Sequence, residues 1–188
     1  MNFPYIGITD FMTFEQVKRM LAVFKAHLPP QSKRKLHVGV MMSYKTLNDL
    51  ETKWSKVFPR KEDVCEIFGS KETYNCLHYA DYGGNSDYLD LSYAISFGGT
   101  GIHALQLDMI WPDPDDICNG IRDSRKQVEV ILQIGKKALE EADNDPEIVV
   151  QKLGDYVGIV NRILLDRSMG KGVGMDAEFL LPFTRAIR

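Results

Sequence analysis

The sequence predicts an α/β domain with a parallel sheet, and three observations predict it. Strand-like runs alternate with helical patterns through the whole chain, six times over. At least one strand, residues 36–44, is almost wholly apolar, as a strand covered on both faces must be. No shift in composition divides the 188 residues, so residues 1–188 form a single domain. Six strand-then-helix units with right-handed crossovers build either a doubly wound sheet or part of an eightfold barrel. A complete (β/α)8 barrel takes about 250 residues, so this chain supplies six of its eight units. The barrel is then incomplete, truncated after the sixth unit or closed by oligomerising, because an apolar parallel edge invites a partner.

The elements follow in order. Residues 3–10 form the first strand, and Thr13-Phe-Glu-Gln16 opens a helix carrying Val17, Met20, Leu21 and Phe24 at helical spacing. Pro29-Pro30 ends that unit, and residues 36–44 are the second strand. A second helical region holds Leu47, Leu50 and Trp54, breaks near Pro59 and resumes through Val64, Ile67 and Phe68 to a stop at Gly69. Residues 75–82 are the third strand, Gly83-Gly84-Asn85 a loop, and residues 88–97 a short helix. In the fourth strand, residues 102–111, alternation puts Leu105, Leu107 and Met109 on one face and Ala104, Gln106 and Asp108 on the other. Pro112-Asp-Pro-Asp-Asp116 starts the next helix, with its acids capping backbone amides. Residues 128–135 also fit a helix, but their β-branched content favours a fifth strand. A helix within residues 136–154, a sixth strand over 159–166 and a last helix from Asp176 complete the chain.

Composition narrows the classes of function. Hydrophobic residues make up 44% and charged residues 26%, which suits one well-packed core and excludes disorder. The net charge is -3 with scattered basic residues, so neither nucleic acid nor an anionic membrane is an expected partner. The N-terminus lacks a basic segment with an apolar run behind it, and no stretch is long enough to span a bilayer; the expected location is the cytoplasm. Cys65, Cys76 and Cys118 are too few and too far apart for a disulfide framework or a zinc site, and are expected to be buried small hydrophobes.

Candidate chemistry gathers where strands end. Asp166 closes the sixth strand on the face opposite Leu165, and a loop with Gly170, Gly172 and Gly174 around Lys171 follows, Asp176 capping the next helix. Such a loop lets backbone approach an anion, and strand carboxyl ends are where α/β sheets bind ligands. Asp108 also stands at a strand exit, as do Asp10 and Asp81. His37, His78 and His103 lie singly on apolar strands and are expected to be packed or hydrogen-bonded, not metal ligands. The glycines of residues 97–101 precede a strand, so they form a helix-to-strand connection, not a phosphate cradle.

Three segments together resemble the phosphoribosylanthranilate isomerase family, (β/α)8 TIM-barrel enzymes of tryptophan biosynthesis in the ribulose-phosphate-binding group. Ile6-Gly-Ile-Thr9 is similar to that family's opening strand, Gln106-Leu-Asp108 to its Gln-Leu-His-Gly strand, and Leu164-Leu-Asp-Arg-Ser-Met-Gly-Lys-Gly172 to its Leu-Leu-Asp strand and glycine loop. The resemblance implies a TIM barrel and an aldose–ketose isomerase acting on a small phosphorylated sugar. Asp166 matches the family's general acid, whereas Ile6 stands at the family's cysteine base and Asp108 at its histidine. The implied site has Asp166 as acid, Asp108 or Asp10 as base, and Gln106, Gly170, Lys171, Gly172 and Asp81 around the substrate, with no cofactor. Alternatively, converging carboxylates hold Mg²⁺ for aldolase-like or phosphate-transfer chemistry, or the protein binds a phosphorylated ligand without turnover.

Overall fold

The computed structural model describes residues 3–168 and 174–187, and within them strands and helices alternate as the hydrophobic pattern requires. The strands are β1 (Tyr5–Ile8), β2 (Lys35–Ser43), β3 (Tyr74–Asp81), β4 (Ala104–Met109), β5 (Glu129–Gly135) and β6 (Arg162–Asp166). The helices are α1 (Phe14–His27), α2 (Tyr44–Leu47), α3 (Val64–Ile67), α4 (Tyr88–Phe97), α5 (Pro114–Ser124), α6 (Lys136–Glu141), α7 (Pro146–Leu153) and α8 (Ala177–Ala186). All neighbouring strands pair parallel and in chain order, β1 to β6.

The sheet is curled. In a flat sheet five inter-strand steps would separate β1 from β6 by about 24 Å. Yet the Arg162 guanidinium of β6 lies 5.3 Å from the centre of the Tyr5 ring of β1 and 5.9 Å from that of Tyr74 on β3. The result is six βα units of an incomplete TIM-type barrel, with β1 and β6 unpaired to each other among the described residues.

Alternation assigns the two faces. Leu36, Val38, Val40 and Met42 of β2, Leu77 and Tyr79 of β3, and Leu105 and Leu107 of β4 pack outward against Val17, Ile67, Phe68, Leu91, Ile95 and Ile117. A second, smaller cluster joins Ile134 of β5 to Ala138, Leu139, Val149 and Phe183, with Ile163 and Leu165 of β6 packed on it. On the inner face, Tyr74, Cys76, Ala104 and Ile131 fill the amino-terminal end together with Phe3 and Tyr5. There the Tyr74 hydroxyl donates to Glu129 Oε2 at 2.5 Å, and Arg162 Nε donates to the same oxygen at 3.2 Å.

Three expectations need correction. The helical region after β2 is one turn, α2, because Asp49 takes a left-handed conformation (φ 56°) directly after its end. Leu50, Trp54 and Val57 are then close to half exposed, and Trp54 stacks on Phe58 with ring centres 6.0 Å apart. The helix over 136–154 is two helices, broken where Asp143 and Asn144 both have positive φ and Asp145 caps α7. Of the cysteines only Cys76 is buried; Cys65 and Cys118 are exposed. The fifth strand and the connection over residues 97–101 are as expected. Gly101 is there for close approach, since a Cβ at that position would lie 2.2 Å from the Phe68 carbonyl oxygen.

Candidate active site

The inner-face register carries chemistry-bearing side chains to the carboxyl ends of four adjacent strands. His78 of β3 pairs with Gln106 of β4, Ala80 with Asp108, Gln133 of β5 with Leu164, and Gly135 with Asp166 of β6. Because residues two apart share a face, His78, Gln106, Asp108, Gln133 and Asp166 all point inward. Gln106, Asp108 and Gln133 are buried, although they sit in otherwise apolar strands.

These groups form one hydrogen-bonded chain. Gln133 Nε2 donates to Asp166 Oδ2 at 3.3 Å, and the Ser168 amide donates to Asp166 Oδ1 at 2.7 Å. Gln106 Nε2 donates to Gln133 Oε1 at 2.7 Å and faces His78 Nε2 at 3.3 Å. Asp108 lies beside this chain, its Oδ2 3.6 Å from His78 Nε2 and accepting a short hydrogen bond from the Tyr82 hydroxyl. Burial, reinforced by the bond to Asp108, raises the Tyr82 hydroxyl above the ordinary phenol range, so Tyr82 stays the donor of that bond. Gly135 adjoins both residues: a Cβ there would be 3.7 Å from Asp108 Oδ1 and 3.7 Å from the Asp166 backbone carbonyl oxygen.

The expected site residues divide. Asp166, Asp108 and Gln106 come together. Asp10 does not: it lies beyond the end of β1 with φ 68°, exposed, and no hydrogen bond ties it to the other two acids among the described residues. Asp81 has the opposite phase from His78 and Ala80 and turns into its own loop. It accepts from the amides of Gly83, Asn85 and Ser86 and from the Ser86 hydroxyl, at 2.7 to 2.9 Å. Burial alone would raise the Asp81 carboxyl; these donors hold it below the ordinary carboxylate range. With these bonds it organises the strand exit. Gly170, Lys171 and Gly172 lie outside the described residues. Ile6 pairs with Leu36 of the outward core, so its side chain faces away from the interior.

His78, Tyr82 and Gln133 went unrecognised from sequence. A signal existed for Gln133, a lone polar residue amid Val130, Ile131, Leu132 and Ile134, and for His78, which shares the phase of Ala80. No group of three His, Cys, Asp or Glu side chains gathers as a metal site among the described residues. No helix among them is long and apolar enough to cross a membrane.

No protein-family profile matches the chain, and no curated protein matches it by sequence. The crystal structure of phosphoribosyl anthranilate isomerase from Thermotoga maritima does match in shape, with a TM-score of 0.55 and 18% identity over all of this chain and 74% of that one. What the likeness establishes is the fold: an α/β chain laid out as six of the βα units of a TIM-type barrel.

Proposed function

We propose that the chain is a sugar-phosphate isomerase of the phosphoribosylanthranilate isomerase type, working with strand-end carboxylates where that family uses a cysteine base. The observation that supports it most is the side-chain chain on the inner face that runs from Asp166 through Gln133 and Gln106 to His78, with Asp108 beside it. Asp166 donates a proton to the furanose ring oxygen as the C1–O bond breaks. Ring opening leaves C1 as an iminium, its C=N bond formed by the amine lone pair. Asp108 then takes the proton from C2, and the C–H pair forms C1=C2 as the iminium pair returns to nitrogen. The resulting enaminol tautomerises to the aminoketose. Tyr82 orients Asp108, and Gln106 lies on the same face of β4, against His78. The loop around Gly170, Lys171 and Gly172, next after β6 in sequence, is assigned the phosphate on its composition.

The test is turnover of phosphoribosyl aromatic amines and simpler phosphorylated aldoses, followed by product formation and by deuterium uptake at C2. Asp166→Asn and Asp108→Asn should each lower kcat/KM by roughly a hundred- to ten-thousand-fold. An Asp166→Asn protein with full activity would sink the acid role. The outward, apolar Ile6 favours a second reading, a binder of phosphorylated ligands that has lost turnover. Calorimetric binding of phosphorylated sugar with no conversion selects it. Heat of Mg²⁺ binding abolished by Asp108→Asn would instead select metal-assisted chemistry.

A further inference from the structure

We propose that Gln133 and Gln106 form an orientation relay that locks the tautomer of His78 to the protonation state of Asp166, four strands across the site. The argument runs along the donors and acceptors. Both oxygens of Asp166 accept, Oδ1 from the Ser168 amide and Oδ2 from Gln133, the arrangement a carboxyl makes when it supplies no donor of its own. A carboxylate can face only the NH₂ of Gln133, which leaves the Gln133 carbonyl for Gln106. Gln106 must therefore present its own NH₂ there, and that same nitrogen is the one 3.3 Å from His78 Nε2. A ring nitrogen facing a donor has to be the lone-pair nitrogen, so the neutral imidazole carries its proton on Nδ1. That atom is buried and has no hydrogen-bond partner among the described residues. Nothing local to the ring favours Nδ1–H; the relay does.

Reversing one end reverses the whole chain. When Asp166 is protonated, its O–H donates to the Gln133 carbonyl, both amides turn over, and His78 Nε2 faces the Gln106 carbonyl. The ring proton then belongs on Nε2, where Asp108 Oδ2 also lies within 3.6 Å. No proton travels through the amides: each rotates, and the imidazole keeps one proton, moved between its nitrogens by exchange with water. In the isomerase reading, on which this consequence rests, the site acquires an order. Once the acid has given up its proton, Nε2 of His78 turns from donor to acceptor beside Asp108, so Gln106 and Gln133 act as positioning residues that couple the acid step to the base side.

The experiment reads the ring nitrogens of His78 directly, by nitrogen–proton correlation NMR of the labelled full chain at a pH where the imidazole is neutral, His78→Gln assigning the signals. The wild type should show the Nδ1–H tautomer. In Asp166→Asn the Ser168 amide still requires an oxygen at the Oδ1 position, which turns the new NH₂ toward Gln133; His78 should switch to Nε2–H. Gln133→Leu should remove the bias and leave a mixture. The titratable groups facing His78, namely Asp108 of β4, His37 of β2 and, through Asp108, Tyr82, are unchanged in these variants. If Gln133→Leu fails to fold, Asp166→Asn still decides, since it keeps the shape of the side chain. An Nε2–H tautomer in the wild type, or one unmoved in folded Asp166→Asn, overturns the relay. A tautomer switch in a protein without isomerase activity supports the relay and removes the isomerase reading; activity without the switch does the reverse.

Discussion

His37 shows how a single buried group makes stability depend on pH. It is 4% exposed on β2, stacked on Tyr5 at 4.9 Å, and neither ring nitrogen has a hydrogen-bond partner among the described residues. Burial first, and the proximity of His78 next, lower its imidazole from the ordinary 6.5 to about 4. The unfolded chain therefore binds a proton here at higher pH than the fold does. Stability is fully present above 6.5 and is lost as pH falls toward about 4, by about 3 kcal/mol for this one group. Urea unfolding across that window should show the gap between His37→Phe and wild type move in favour of the variant as pH falls. His103, also lowered by burial, adds a slope common to both proteins, so the gap is the quantity to follow. A gap constant with pH would mean that His37 titrates in the fold as it does unfolded. At this scale the sequence was informative only where phase along a strand decides direction. Period-two alternation pointed Asp108 and Asp166 inward. It could not show that Asp10 adopts a left-handed conformation beyond its strand, or that Asp81 would be consumed by its loop, because both depend on local backbone geometry.

At the level of elements, the exit of β3 is held by one carboxylate. Asp81 satisfies three amides of the loop, those of Gly83, Asn85 and Ser86, before α4 starts at its own cap, Asp87. Asp81→Ala leaves these donors without their acceptor and should destabilise the fold by about 3 kcal/mol. Asp81→Asn keeps one oxygen of the two that accept and should fall between, as measured by denaturant midpoints at constant m. A loss under about 0.5 kcal/mol for the alanine variant would mean that water replaces the carboxylate at no cost. Elements were read well where burial and period agree, as in β2 and β4. They were misread where apolar spacing is not followed by burial. Leu47, Leu50 and Trp54 repeat at a helical interval, yet only Leu47 is buried, and Asp49 ends the helix after one turn. Spacing records which residues could share a helix face; whether a neighbour covers that face is a tertiary fact.

Across the whole molecule, stability is unevenly distributed, and the uneven part carries Asp166. Strands β2, β3 and β4 each have two paired neighbours and side chains packed into the larger cluster. β6 pairs only with β5 among the described residues, none of its residues is fully buried, and it rests with α8 on the smaller cluster. A unit with fewer buried contacts opens at lower free energy than the global transition. Native-state hydrogen exchange should therefore find β6 and α8 less protected than β2 to β4. Phe183 anchors α8 at 2% exposure, and Phe183→Ala removes about 3–5 kcal/mol of packing from that unit alone. Exchange in α8 and β6 should accelerate accordingly, while the central strands keep their rates so long as they exchange through global unfolding that the variant leaves two-state. Equal protection in all six strands, shifted together by Phe183→Ala, would make the sheet one cooperative unit. The bond from Gln133 to Asp166 spans the step from β5 to this weaker strand. If β6 opens independently, the side-chain chain from Asp166 to His78 breaks at that bond first, and the acid is the one group of the site whose placement depends on the smaller cluster.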